Sequence, residues 1–271
     1  MTKLKISDYL NPLDRFGSVG RVHSIFEHSF NIKIGSQLVN ITNHSDYLSS
    51  FGIYLPNELF SQVITFISEN SLVKIHADQL HFYSYQGIIT VNLQAAVTSH
   101  LRVESGTVTE TAALMLKNQL EALQLENQIG LMIEAETETF FAQMKQADEK
   151  ETNATQLCEY FIGRGRGLTP SGDDILVAYL TMLRVLGSEG AVIDFKTALE
   201  LSTRTTTDVS AAYLDAALNG YVNSYVYDLL QNLEHQSVSQ IETQIKKIMS
   251  IGHTSGKDML FGMLLALEKQ V

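Results

Sequence analysis

The chain of 271 residues carries 19 Lys plus Arg against 30 Asp plus Glu, a formal charge of −11, and is 45% hydrophobic and 18% charged. A chain this acidic is a poor general binder of nucleic acid, which requires clustered positive charge. Its apolar content excludes global disorder and leaves material for one large domain or two ordinary ones. A single cysteine, Cys158, excludes an internal disulfide framework and any multi-cysteine zinc or iron–sulfur centre, and reads as a core residue.

The opening MTKLKISDYLNPLDRF has no apolar stretch of the secretory kind, and ILVAYLTML (175–183) stops at Arg184, well short of a membrane span. The expectation is a soluble cytoplasmic protein with no membrane segment. Residues 1–100 hold 6 basic and 7 acidic residues and read as short strands. GRVHSIF (20–26), FNIKIG (30–35) and QLVNIT (37–42) alternate at a period of two, as do SLVKIHA (71–77), LHFYSY (80–85) and GIITVNL (87–93). A Gln86-Gly87 turn signal joins the last two. NELFSQVITFIS (57–68) fits either a helix or an edge strand. The reading is an antiparallel β-rich domain, barrel-like or sandwich-like, over 1–100.

Residues 101–271 hold 13 basic and 23 acidic residues, so −10 of the charge lies there, and they read as helices. Thr107 and Glu110 have the spacing of a capping box. Val108, Ala112, Leu116, Leu120 and Leu123 then fall on one helical face. Further helices are expected over 131–148, 151–161, 172–186, 192–203, 208–234, 238–250 and 256–269. In 238–250, Ile241, Ile245, Ile248 and Met249 form the apolar stripe. Only one of the three prolines, Pro170, lies beyond residue 56, as a helical half requires. The fold class is therefore α+β, a β-rich domain followed by a mostly α-helical one, with the boundary near 95–106.

The densest local signal is GRGRGLTPSGDD (163–174), where Gly163, Gly165, Gly167 and Gly172 surround Pro170. Glycines allow a backbone to turn its N–H groups toward a ligand, and a helix starting at Ser171 adds a partial positive dipole end. Together with Arg164 and Arg166 this makes an anion-site candidate for phosphate or carboxylate, including Thr169. No Lys-Ser or Lys-Thr follows the glycines, so it is no P-loop, and no βαβ unit supports a dinucleotide fingerprint. A plain capped helix lead-in is the alternative.

The second signal, GHTSGKD (252–258), overlays the first at an offset of 84 residues as S-G-x-D-x-L-x-x-x-L. Ser171 and Ser255 become candidate N-caps, and Asp174 and Asp258 candidate capping-box acids. The variable position is Asp173 in one copy and Lys257 in the other. Two helix starts of like construction, facing each other across a cleft, would hold a small polar ligand. Asp173 and Asp174 offer Mg²⁺ an alternative site, though no metal is assigned. The third segment, TRTTTDVS (203–210), places Arg204, Thr205 and Thr206 before a helix that Asp208 would cap, and suits either an oxyanion or an ordinary turn. Of the eight histidines only His253 lies inside a motif, where it could act as an acid. No zinc-enzyme spacing and no nucleophile elbow is present.

GLTPSGDD (167–174) together with IGHTSGKD (251–258) resembles the AllH-type family, over roughly residues 15–267. The resemblance implies a subunit of oxamate carbamoyltransferase, an enzyme of allantoin and purine-ring catabolism that converts oxalurate and phosphate into oxamate and carbamoyl phosphate. It implies as partners an FdrA-type subunit, resembling acyl-CoA synthetases, and one further subunit. Arg166 departs from the family pattern, which has a small residue or proline there.

In the leading reading, backbone N–H groups of 167–172 and 252–256 stabilise the tetrahedral oxyanion, with Gly256 and Thr254 in the second segment. Arg164, Arg204 or Lys257 offset charge, and His253 or Asp173 is the acid. Gly172→Val and Gly256→Val would then abolish turnover and leave the fold. Two other readings stand beside it. One is a non-catalytic anion-sensing or assembly subunit that docks through its β-rich part. The other is a Mg²⁺-dependent hydrolase using Asp173, Asp174 and Asp258.

Overall fold

The alternation in the first hundred residues becomes a curled nine-stranded sheet in the computed structural model, which describes residues 3–146, 153–231 and 233–270. Its strands are β1 (Lys5–Ser7), β2 (Val19–Ile25), β3 (Ser29–Ile34), β4 (Gln37–Thr42), β5 (Gly52–Tyr54), β6 (Leu72–His76), β7 (Gln79–Ser84), β8 (Gly87–Asn92) and β9 (Val97–Ser99). They are ordered β8-β7-β6-β2-β3-β4-β5-β1-β9. The sheet is mostly antiparallel, with parallel pairing of β4 to β5 and of β1 to β9. The strands without a sequence signal, β1, β5 and β9, have three residues each, too few to show a period.

Tyr85 and Gln86 form the two-residue connection between the paired Ser84 and Gly87. The ambiguous 57–68 segment is helical: α1 (Asn57–Phe66) starts directly after Pro56, whose fixed φ suits a helix start, and buries Phe60 and Val63 at a spacing of three. Phe30 of β3 meets Phe60 and Phe82 at centroid distances of 6.0 and 5.8 Å, which seats α1 on the sheet. The central strands β3 and β4 are largely buried on both faces, whereas β8 buries only Val91.

The chain forms two compact units, Met1–Arg102 and Val103–Val271. The second unit contains α2 (Glu110–Glu121), α3 (Ala135–Lys145), α4 (Ala154–Phe161), α5 (Ser171–Val185), α6 (Glu189–Leu201), α7 (Asp208–Leu218), α8 (Ser224–Leu230), α9 (Val238–Met249) and α10 (Ser255–Gln270). At its centre α5 packs along α10. Thirteen of the 15 residues of α5 are buried, the pattern of a helix enclosed on every side. Close approach is possible because Gly262 has no side chain: a Cβ there would lie 2.3 Å from the Ile175 carbonyl oxygen. Helices α2, α3 and α9 pack on α10, and α4, α6 and α7 on α5. Among the described residues, no helix is long and apolar enough to cross a membrane.

Several local expectations change. Helix α2 is capped by Thr109, whose hydroxyl accepts from the Ala112 N–H at 3.3 Å, while Thr107 donates to the Glu104 carbonyl and makes no capping box with Glu110. The Val108, Ala112, Leu116 and Leu120 face is buried as the spacing requires. The 208–234 segment is two helices, because Gly220 takes φ +84° between them and Asn223 caps the second through the N–H groups of Tyr225 and Val226. Helix α7 is capped by Thr207, not Asp208, which is its first helical residue. The ends of the expected 131–148 and 151–161 helices at 147–152 lie outside the described residues. Helix α9 holds a reciprocal capping box of Ser237 and Gln240 and buries Ile241, Ile245 and Ile248.

Candidate functional site

The two Ser-Gly segments are built alike because each starts a helix beside the end of the preceding one. A Cβ on Gly172 would lie 2.1 Å from the Phe161 carbonyl oxygen at the end of α4. A Cβ on Gly256 would lie 1.8 Å from the Ile248 carbonyl oxygen at the end of α9. Both glycines are therefore demanded by packing against backbone. This corrects the expectation that valine at either position would leave the fold intact. The lead-in loop needs glycine for conformation, since Gly163, Gly165 and Gly167 have φ of +69°, +129° and +90°.

The capping roles expected of the motif residues also change. Pro170 precedes the first residue of α5, so Ser171 is inside the helix and Asp174 is its fourth residue, one beyond the capping-box position. Ser255 likewise begins α10 and is not its cap. Several N–H groups of both starts are already engaged. Gly172 donates to the Arg164 carbonyl at 2.8 Å and Asp173 to Pro170 at 2.9 Å. Gly256 donates to Ile251 at 3.0 Å and Lys257 to Thr254 at 2.8 Å. The backbone oxyanion hole expected over 167–172 and 252–256 is thus not open at Gly172 or Gly256.

The helix starts instead meet directly and exchange polar groups. The Thr169 and Ser255 hydroxyls share a hydrogen bond of 2.8 Å between one motif and the other. Ser255 and Thr169 flank the carboxyl of Asp174, while Ser171 and Thr254 flank that of Asp258. Each serine therefore serves the aspartate of the opposite copy, which gives the repeat an internal two-fold character. Asp174 and Asp258 are 2% and 0% exposed. The Oδ1 of Asp258 accepts the Gly130 N–H at 2.8 Å, and the Oδ2 atoms of both acids are buried without a hydrogen-bond partner. Burial pushes Asp174 well above the ordinary carboxylate range, and neighbouring Asp258 and Asp173 push it further. Burial also raises Asp258, against the Gly130 N–H, the Ser171 and Thr254 hydroxyls and Lys257, in falling order.

Gly130 completes this cluster and had no motif around it in the sequence. A Cβ there would lie 2.5 Å from the Ser171 hydroxyl oxygen and 2.6 Å from that of Thr254. A lone glycine in the polar stretch ENQIG (126–130) between two helices is the one available hint.

Asp173 belongs to a different contact. Its carboxylate accepts the Gly163 N–H at 2.9 Å and the Thr206 hydroxyl, and the Thr207 hydroxyl donates to the Leu168 carbonyl. The backbone oxygen of Thr205 sits 2.5 Å from where a Cβ on Gly163 would be. The threonine segment thus closes on the glycine loop, and Asp173 is the clamp between them. Burial raises its pKa, with Thr206, Gly163 and Ser210 opposing.

With Asp173 turned aside, the three-carboxylate Mg²⁺ centre is not assembled. Among the described residues no three His, Cys, Asp or Glu side chains group as a metal site.

The expected cations are dispersed. The guanidinium of Arg164 lies 3.7 Å over the Tyr160 ring and its Nε donates to the Tyr160 carbonyl at 3.0 Å. Arg204 lies 3.6 Å from the Glu159 carboxylate, which the Ser202 hydroxyl and the Thr203 N–H hold below its usual range. Arg166, Gly165 and Gly167 are exposed, as is His253, and Lys257 is half-buried beside Asp258.

The two halves of the chain match two family models. The model described as oxamate carbamoyltransferase subunit AllH covers residues 161–267, and the AllH family N-terminal domain covers residues 2–99. The chain belongs to the AllH family. The AllH match begins at the end of α4 and runs into the last turn of α10, so it takes in both Ser-Gly segments, the threonine segment and the whole hydroxyl–carboxylate cluster apart from Gly130. No solved structure matches this AllH chain.

Proposed function

We propose that this AllH chain is a working subunit of an oxamate carbamoyltransferase, with its site at the meeting point of α5 and α10. The observation that carries this is the family match over 161–267, which spans both motifs whose side chains meet in the cluster. In the reaction, a phosphate oxygen attacks the carbamoyl carbon of oxalurate. The bond from that carbon to the oxamate nitrogen breaks, the nitrogen takes a proton, and carbamoyl phosphate leaves. Thr169, Thr254 and Ser255 are half-buried and carry hydroxyl donors, and exposed Arg166, His253 and half-buried Lys257 lie in the same segments. His253 is the better proton donor of the two residues considered, because Asp173 is committed to Gly163 and Thr206. A hydroxyl aimed at developing negative charge is worth on the order of 10²-fold in rate. The reading carries with it partner subunits, an FdrA-type chain among them, and a cytoplasmic setting in purine catabolism.

The test is reconstitution with those partners. Carbamoyl phosphate formed from oxalurate and phosphate is followed by ³¹P NMR, alongside calorimetry of this chain with phosphate, carbamoyl phosphate and oxamate. Activity that requires this chain and drops roughly 10²-fold in Ser255→Ala supports the assignment. A fully reconstituted set that turns over oxalurate without this chain overturns it. The internal satisfaction of the Gly172 and Gly256 N–H groups favours one second reading, an assembly subunit. In that case the chain is needed for activity, yet Ser255→Ala keeps the full rate.

A further inference from the structure

Two buried carboxyls, at 2% and 0% exposure, each present an Oδ2 with no hydrogen-bond partner. Around them stand the hydroxyls of Thr169, Ser171, Thr254 and Ser255, the two serines each serving the aspartate of the other copy. Hydroxyl oxygens have lone pairs to offer as well as a proton, and no histidine or cysteine lies among these groups. The absence of a side chain on Gly130 lets the Ser171 and Thr254 hydroxyls approach its backbone, since a Cβ there would be within 2.6 Å of both.

Buried carboxylates are retained when something positive compensates them. Here the nearby charges are mostly of the wrong sign. The charged neighbours of Asp174 are two further acids, Asp258 and Asp173, and Lys257 is the cation beside Asp258. The dipole ends of α5 and α10 help, but a helix start is worth only about half an elementary charge.

We propose that Asp174 and Asp258, one from each Ser-Gly motif, together hold a divalent cation of the Mg²⁺ class, with hydroxyls of Thr169, Ser171, Thr254 and Ser255 as further oxygen ligands. Two carboxylates with neutral oxygens and remaining waters suit a hard cation of this size. The cation joins the two copies of the motif through one residue of each, which explains why the aspartate is common to both while the position before it differs, Asp173 against Lys257. The site differs from a three-carboxylate centre because Asp173 is not in it. The proposal does not depend on the transferase reading, since the cation binds the folded chain whatever reaction the protein serves.

The experiment uses the full chain, freed of metal by chelation and titrated with Mn²⁺ near pH 7.5 under electron paramagnetic resonance. One saturable Mn²⁺ per chain is expected, displaced by Mg²⁺, with a melting temperature raised by either ion. Asp174→Asn and Asp258→Asn should each weaken Mn²⁺ at least 10-fold while circular dichroism stays unchanged. If either variant fails to fold, Thr254→Ala keeps both carboxylates and should still weaken the ion. Wild-type chain that shows no saturable Mn²⁺ and no melting shift with Mg²⁺ overturns the proposal and leaves protons as the compensation. Binding that survives both asparagine variants places the ion elsewhere and overturns it equally.

Discussion

Replacement of Gly256 by alanine measures how tightly the helix starts are built. The added Cβ would lie 1.8 Å from the Ile248 carbonyl oxygen, 2.7 Å from its carbon and 3.1 Å from the Met249 Cα. Real Cβ contacts below 3.0 Å essentially do not occur, so the start of α10 or the end of α9 must move by 3.0 − 1.8 = 1.2 Å. No side chain can rotate to absorb this, because every atom met is backbone. Overpacking costs about 1–3 kcal/mol, and a rigid backbone contact puts this case near the upper figure. Alanine returns about 1 kcal/mol of helix propensity. The net is a destabilisation of about 2 kcal/mol, or a melting temperature lower by about 4–8 °C for a unit of this size. Gly172→Ala, at 2.1 Å from the Phe161 carbonyl, should behave alike. Gly190→Ala is the control: nothing lies within 4 Å of its Cβ, and a gain of about 0.4–1 kcal/mol is expected. Calorimetric melts and urea titrations of the three variants decide the matter. A Gly256→Ala protein that melts at or above wild type, with Gly190→Ala stabilised as expected, would refute the close-approach argument.

Two further predictions follow from burial. Cys158 is 0% exposed and burial pushes its thiol up to about 12, so the native chain should not react with a disulfide reagent near pH 8 except by unfolding, and stoichiometric labelling within minutes would contradict this placement. The acids Asp173, Asp174 and Asp258 all have raised folded pKa values. The folded chain therefore holds protons that the unfolded chain has released, and their effect is a loss of stability as pH rises from about 3.9 toward the folded values. In chelator-treated protein, Asp174→Asn should remove part of that slope, equalling wild type below about pH 4 and exceeding it above the window. A variant less stable than wild type at every pH would show that the ionised carboxylate is already well compensated without a metal.

The parts of this fold that the sequence displays are those governed by local periodicity. The alternation of β2–β4 and β6–β8, the one-sided stripes of α2 and α9, and the apolar run Ile175–Tyr179 of α5 each follow from how much of an element is buried, which the residue order reveals directly. The repeated S-G-x-D-x-L was equally visible, but its meaning was not. Read locally, Ser171 and Ser255 are caps and Asp174 and Asp258 their capping-box partners. In the folded chain each serine stands beside the other copy's aspartate, a pairing across 87 positions for Ser171 and Asp258 and 81 for Asp174 and Ser255, set by how α5 packs on α10. The roles of the glycines were hidden for a related reason. Gly172, Gly256 and Gly262 are demanded by the approach of another backbone, and Gly130 by two hydroxyls from distant segments, none of which is a neighbour in sequence.

That exchange bears on what the cluster can do. A motif that capped only its own helix would make two independent helix ends, each free to vary. Exchanged partners make a single unit in which loss of Ser171 is felt at Asp258 and loss of Ser255 at Asp174. The arrangement places two costly carboxyls at the one point where α5 and α10 begin together, in the part of the chain that the AllH family model covers. A purely structural junction would be better served there by asparagine, which fits the same space and makes hydrogen bonds without a desolvated charge. Retention of the acid in both copies, beside hydroxyls that leave each Oδ2 unpartnered, is therefore more economically explained by something the carboxylates hold than by the packing of the helices.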